Sequence, residues 1–135
     1  PKYIFMGEKD FQQFFLVRKF LEKNYETKII SCNTIRDNNK VALSSRNYLL
    51  SKYNLNIAGL IAKQLFRLKS RINRNKRKSN YLIKNIKKEL TEKFNIKIEY
   101  LEARNVINLK SNISKNKFKL FVAYHIENIR LIDNF

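Results

Sequence analysis

Two adjacent hydroxyls and a guanidinium, Ser44, Ser45 and Arg46, sit in the middle of the eleven-residue stretch Val41-Ala42-Leu43-Ser44-Ser45-Arg46-Asn47-Tyr48-Leu49-Leu50-Ser51. Short rotating donors beside a planar fork of N–H groups suit the paired oxygens of a polyphosphate. Taken alone, the same residues fit a serine-rich turn entering a helix, with Ser51 as the N-cap. A second cluster lies upstream in Phe5-Met6-Gly7-Glu8-Lys9-Asp10-Phe11-Gln12-Gln13. Each member also has a plain reading: Asp10 as a helix N-cap, Lys9 and Arg46 as solvated charges, Gln13 as an exposed helix residue.

Three blocks in order change that balance. Gly7 to Gln13, Ala42 to Asn47 and the ending Arg130-Leu131-Ile132-Asp133-Asn134 together resemble the pantoate–β-alanine ligase (pantothenate synthetase) family. That family belongs to the adenylate-forming nucleotidyltransferases related to class I aminoacyl-tRNA synthetases. The first block resembles its Gly-Glu-Lys-Asp-aromatic-Gln-Gln motif, and the second its Met-Ser-Ser-Arg-Asn loop. The resemblance covers essentially the whole chain but only the later part of the family's sequence.

The resemblance implies a two-step, ATP- and Mg2+-dependent reaction. The carboxylate of pantoate attacks the α-phosphate, and the amine of β-alanine then displaces AMP. By the same resemblance, the Gly7 backbone passes close to the nucleoside, Lys9 meets phosphate oxygens and Asp10 takes the ribose hydroxyls. Gln13 binds pantoate, the backbone around Ile35 faces adenine, and Leu43, Ser44, Ser45 and Arg46 form a loop that closes on the phosphates. Lys9, Ser44, Ser45 and Arg46 are the expected catalytic set. Leu43 stands where the family usually has Met, Lys40 where Gly is common, Asn33 for a common Pro, and Asn54 for an acidic residue. The family's His-x-Gly-His motif has no counterpart, since His125 is the single histidine. The expectation is therefore a C-terminal portion of such a ligase, inactive by itself, cytoplasmic, with no membrane partner and with a homodimer among the assemblies it allows.

The elements that must position these residues follow from hydrophobic period. Lys2 to Met6 reads as a buried strand, Phe11 to Asn24 as an amphipathic helix and Thr27 to Cys32 as a second strand. Strand–helix–strand is the parallel unit whose ligands sit beyond the carboxyl ends of the strands. Residues 1–34 are thus expected to be the last βαβ piece of a Rossmann-like domain, and residues 35–135 an α+β ATP-closing domain. In the latter, a helix from about Tyr53 to Asn73 carries Ile57, Ile61, Leu65, Leu68 and Ile72 on one face. Gly59 inside it marks a close packing contact. A second helix, capped by Ser79 or Asn80, turns Leu82, Ile83, Ile86, Leu90 and Phe94 inward. Alternation then predicts strands over Ile96–Tyr100, Lys117–Tyr124 and Ile129–Ile132, with Lys110 to Asn116 as a loop. The expected fold class is α/β, with two helices on a small antiparallel sheet in the second part.

Composition narrows the rest. The chain has 135 residues, 44% of them hydrophobic, enough for a core, with 29 basic and 11 acidic residues and a net charge of +18. That charge invites a nucleic-acid module, with Arg67 to Lys78 as its densest stretch. The basic residues are otherwise dispersed, and Lys, Asn, Ile, Phe and Tyr all have codons built from A and T, so this is the weaker reading. Cys32 reads as a buried structural thiol in a reducing compartment, and His125 as structural; one His and one Cys make no metal site. A third reading, a dead fragment that assembles with itself, would have exposed apolar surface on Phe11, Phe14 and Phe15.

Overall fold

Two periods, 2 and 3.6, alternate along the chain, and the elements follow them. The computed structural model describes residues 1–113 and 117–135. Strand β1 (Tyr3–Gly7) leads through a 3₁₀ turn into helix α1 (Phe11–Asn24), and β2 (Lys28–Cys32) follows. Helices α2 (Lys52–Arg74) and α3 (Ser79–Phe94) precede β3 (Lys97–Asn105), β4 (Phe118–Ile126) and β5 (Ile129–Asn134). β1 and β2 pair in parallel from Tyr3↔Lys28 to Gly7↔Cys32. The other three strands form an antiparallel sheet in the order β3-β4-β5. Of the expected loop Lys110–Asn116, residues 114–116 lie outside the described residues.

The central strand β4 joins the layers. Leu120, Val122, Tyr124 and Ile126 face α2 and α3 and share a core with Ile61, Leu65, Leu68, Ile72, Ile86 and Leu90. Phe121, of opposite parity, turns to a second, smaller core with Phe11, Phe14 and Ile29. Its ring lies 5.8 Å from that of Phe11. A strand buried on both faces explains why its sequence is apolar almost throughout rather than alternating.

Several expectations are corrected by this packing. Phe11 and Phe14 are buried and Phe15 half-buried, so they are not an exposed apolar face. Uncovered apolar side chains in this part of the chain are instead Tyr3, Phe5, Leu16, Phe20, Tyr25 and Ile30. Cys32 is exposed, because it shares strand parity with outward Ile30 rather than inward Ile29. Neither Ser79 nor Asn80 caps α3; a 3₁₀ turn, Lys76–Lys78, feeds straight into it and leaves Lys78 at the cap position without a side-chain bond. β3 continues past Tyr100 to Asn105. A register shift between Ile98 and Tyr100 breaks the alternation there, which is why the periodic pattern ends early.

Other local readings hold. The Ser51 hydroxyl accepts from the Asn54 N–H at 3.1 Å and caps α2. A Cβ on Gly59 would lie 2.8 Å from Asn39 Cβ and 3.1 Å from the Asn39 carbonyl. The glycine thus lets α2 press against the 37–40 turn. Gly59→Ala is expected to lower stability by about 1–3 kcal/mol in urea unfolding, against the gain of roughly 1 kcal/mol that helix propensity alone would bring.

Candidate functional site

The segment carrying the hydroxyl pair starts as a tight hairpin. Arg36 and Ala42 form an isolated antiparallel bridge, and the Leu43 N–H donates to the Ile35 carbonyl at 2.9 Å. Asp37 holds the turn by accepting from the Asn39 and Val41 N–H groups at 2.9 and 2.8 Å. Lys40 sits at φ 74°, a left-handed conformation that glycine adopts without the steric cost lysine bears. Beyond the hairpin, the Ser44 hydroxyl accepts from the Arg46 N–H at 3.3 Å and begins a 3₁₀ turn, Ser45–Leu49. The Asn47 amide donates to the Ala42 carbonyl at 3.0 Å and closes the loop.

The residues at the end of β1 reach the same place. Lys9 lines a narrow crevice of about 10 Å³ together with Ser44, Arg46 and Asn47, walled by Tyr124 and the Leu131–Asp133 strand. Lys9 also lines an adjoining depression of about 170 Å³ with Asp10, Gln13, Tyr100, Ile132 and Asp133. Ile132 and Asp133 form the wall common to both. The structure therefore brings Lys9, Asp10, Gln13, Ser44 and Arg46 around one strand end. Ser45 stands beside them, exposed on the loop, and Ile35 and Leu43 are exposed apolar neighbours 72% and 53% open to solvent. Gly7 ends β1 at an ordinary φ of −68°, and a Cβ there would meet nothing within 4 Å. The fold itself gives no reason for glycine at that position.

Free chemistry distinguishes this cluster from ordinary surface. Asp10 occupies the N-cap position of α1, yet its carboxylate makes no capping bond. The side chains of Lys9, Asp10, Gln13, Ser45 and Arg46 form no hydrogen bond or ion pair with any described residue. Ser44 is the exception, its hydroxyl being used in the 3₁₀ cap. A set of uncommitted cations, hydroxyl, amide and carboxylate on one rim can bind a polar, multiply charged ligand.

What holds the rim together was not read from the sequence. Arg36 donates two bonds to Asp133, at 2.7 and 2.9 Å, and one each to the Asn134 and Lys40 carbonyls. Its guanidinium lies 5.1 Å from the Phe66 ring and 4.7 Å from the Phe135 ring. The Asn134 amide donates to the Glu8 and Lys9 carbonyls at 2.7 and 2.8 Å, and Lys119 donates to both Glu8 and Asn134. Burial raises the Asp133 carboxyl above its usual range, and the Arg36 fork pulls it part of the way back. Burial, and then the Asp133 charge, push the Tyr124 phenol upward. The signal present in the sequence is the terminal Asp133-Asn134 pair; no local pattern marks Arg36 as its partner. The exposed pair Arg130–Glu99, at 2.8 Å, lies at the other end of β5 and takes no part. Among the described residues no group of His, Cys, Asp and Glu could hold a metal, and His125 lies on β4 with Nε2 3.5 Å from Glu99.

Fold and rim together define an α/β protein in which cationic and hydroxyl side chains from a parallel βαβ unit and from the segment after it meet at one crevice. The family model for pantoate-beta-alanine ligase matches residues 1–135, and the chain belongs to that family. It is 43% identical over 77 residues to the pantothenate synthetase of Flavobacterium psychrophilum, an alignment covering 52% of this chain and 27% of that protein. To the pantothenate synthetase of Buchnera aphidicola it is 47% identical over 64 residues, 47% of this chain and 22% of the relative. The crystal structure of the Thermus thermophilus pantothenate synthetase superposes with a TM-score of 0.81 at 22% identity, covering all of this chain and 49% of that one. The Francisella tularensis pantoate-beta-alanine ligase, complexed with beta-gamma ATP and beta-alanine, gives a TM-score of 0.69 at 29% identity over 43% of its chain. The chain thus spans less than half the length of these solved relatives.

Removing Asp133 would strand a buried guanidinium. Asp133→Ala is expected to cost about 3–5 kcal/mol in denaturant unfolding. Arg36→Ala/Asp133→Ala should cost clearly less than the sum of the single changes; strict additivity would show that the two do not act as a pair. For Glu8, burial works to raise the carboxyl, but the Lys119 hydrogen bond and charge outweigh it and hold it below its usual 4.5. The stability from this pair is complete above about pH 4.5 and is lost as the pH falls through the lower folded value. Glu8→Gln should flatten that acid limb of the stability–pH curve.

Proposed function

We propose that this chain supplies the phosphate-closing part of a pantoate–β-alanine ligase, which condenses pantoate with β-alanine through a pantoyl adenylate at the expense of ATP. The observation that carries this reading is the convergence of uncommitted side chains from both motif blocks on the Ile132–Asp133 strand end. In this role Lys9 neutralises charge building on phosphate oxygens during adenylation, where preformed cations contribute most, and Arg46 holds the outer phosphates that leave as pyrophosphate. Ser44 and Ser45 donate to the outer phosphates, Asp10 accepts from the ribose hydroxyls and Gln13 orients pantoate. Gly7 leaves room for the nucleoside, while Ile35 and Leu43 offer it an apolar edge. Mg2+ would arrive with ATP rather than on a cage of this chain's residues, and would supply further charge neutralisation at the phosphates.

A crevice of about 10 Å³ accepts about one water molecule. A triphosphate therefore requires the 41–47 segment to swing outward before it closes again, as active-site loops do. Residues 1–34 serve in this reading as the closing βαβ piece of a Rossmann-like nucleotide-binding domain and residues 35–135 as the lid. Acting alone, the chain lacks the family's His-x-Gly-His groups and should turn over no substrate.

Calorimetric titration with ATP tests the assignment. Binding should be weak, saturable and dependent on Mg2+, and lowered about tenfold or more by Arg46→Ala, as expected for one charged hydrogen-bonding partner. Purified chain given ATP, pantoate and β-alanine should form no pantothenate. Mg2+-independent binding that Lys9→Ala and Arg46→Ala leave unchanged would refute the site. Binding to duplex DNA that falls steeply with salt would instead favour a basic nucleic-acid module.

A further inference from the structure

A second opening shares no lining residue with the Lys9–Arg46 crevice. It is a groove of about 970 Å³ between α1, the segment after β3, the start of β4 and the C-terminal part of α2, within the size range of small-molecule sites. Its walls are aromatic and apolar where Phe11, Phe14, Phe15, Phe118 and Ile107 contribute. Its charge is strongly one-sided. Among the described residues, six cationic side chains face two carboxylates, and both carboxylates are already engaged, Glu8 with Lys119 at 2.9 Å and Glu22 with Arg18 at 3.1 Å.

Lys69 is the pivotal residue. It projects from α2 between fully buried Leu68 and Ile72, half-buried itself. Among the described residues it has no hydrogen-bond or ion-pair partner, and the same holds for the side chains of Lys19, Lys110 and Lys117 on the groove's rim. Burial first, and then the neighbouring Lys119 charge, hold its ammonium below the ordinary lysine range; Glu8 offsets this only in part. A half-buried cation beside a second cation, with the nearby Glu8 carboxylate already paired to Lys119, costs free energy in the empty protein. An anion entering the groove would recover that cost, and the aromatic walls would add apolar burial for whatever the anion is attached to.

We propose that this groove is a binding site for an organic anion, a phosphate ester with a flat apolar body, whose charged end meets Lys69 and the rim lysines while the body packs on the Phe15 side. The proposal stands whether or not the crevice near Lys9 binds ATP.

1-Naphthyl phosphate is the probe, titrated into the full chain and followed by backbone amide shifts. Saturable binding is expected, with the largest shifts at Phe15, Lys69 and Ile107. Affinity should fall about tenfold for Lys69→Gln, the loss of one charged hydrogen-bonding partner. It should fall by a similar factor when the phosphate is omitted (1-naphthol) or when the ring is omitted (inorganic phosphate). Lys117→Gln, on the exposed rim, gives a smaller loss and serves if Lys69→Gln unfolds the chain. Arg46→Ala should leave the affinity unchanged. Equal binding of inorganic phosphate and 1-naphthyl phosphate would overturn the proposal. So would indifference to both lysine changes, or loss of binding in Arg46→Ala.

Discussion

The paired Arg36–Asp133 charges, with Asn134 beside them, are the contact on which the arrangement of this molecule depends. Asp133 and Asn134 are adjacent on β5, and each reaches a different part of the chain. The carboxylate takes the guanidinium of the 36–42 hairpin, while the amide of the next residue binds the carbonyls of Glu8 and Lys9. Three segments far apart in sequence are thereby tied through a few atoms. The pair is mostly buried, and a buried charge is tolerated only when its partners are complete. Here Arg36 has carboxylate, two carbonyls and two aromatic faces, so its fork is well satisfied. Displacing either end would misplace the rim that carries Lys9 and Arg46.

The large positive charge separates into two kinds once the fold is known. Most lysines and arginines are exposed and spread along the whole chain, the dispersed surface charge expected from the composition. A smaller number sit where a second element limits their solvation: Lys9 against the β5 end, Lys69 and Lys119 against α1. A cation already partly stripped of water gains more from an anion than an exposed one does. Net charge is thus a poor guide to function in this chain, and partial burial of individual cations a better one.

The parallel pair β1–β2 is covered on one face by α1 and leaves Tyr3, Phe5 and Ile30 uncovered on the other. Parallel sheets in α/β proteins are buried on both faces, and two strands alone are marginal. The antiparallel unit, by contrast, has its own layer of two helices and a complete core. The stability of the two parts is therefore unequal, with the β5 clamp and the Phe11–Phe121 contact lending order to the weaker one.

Sequence by itself determined the elements and their inward faces. The heptad-like row from Ile61 to Ile72, the alternation from Phe118 to Ile126, the Ser51 cap and the close approach at Gly59 are all local or periodic signals, set by 3.6- and 2-residue repeats. It also carried the motif blocks, because residue type and spacing survive without coordinates. Tertiary structure alone decided which side chains remain free. Asp10 looks like a helix cap in one dimension and is shown not to cap; Cys32 and Phe11 change places between buried and exposed through strand parity and the docking of β4. The joining of Arg36 to Asp133 spans most of the chain, and no local pattern announces a pair at that separation. Charge compensation in a buried space is a property of three-dimensional neighbours, which is why the clamp and the Lys69 groove came into view only with the fold.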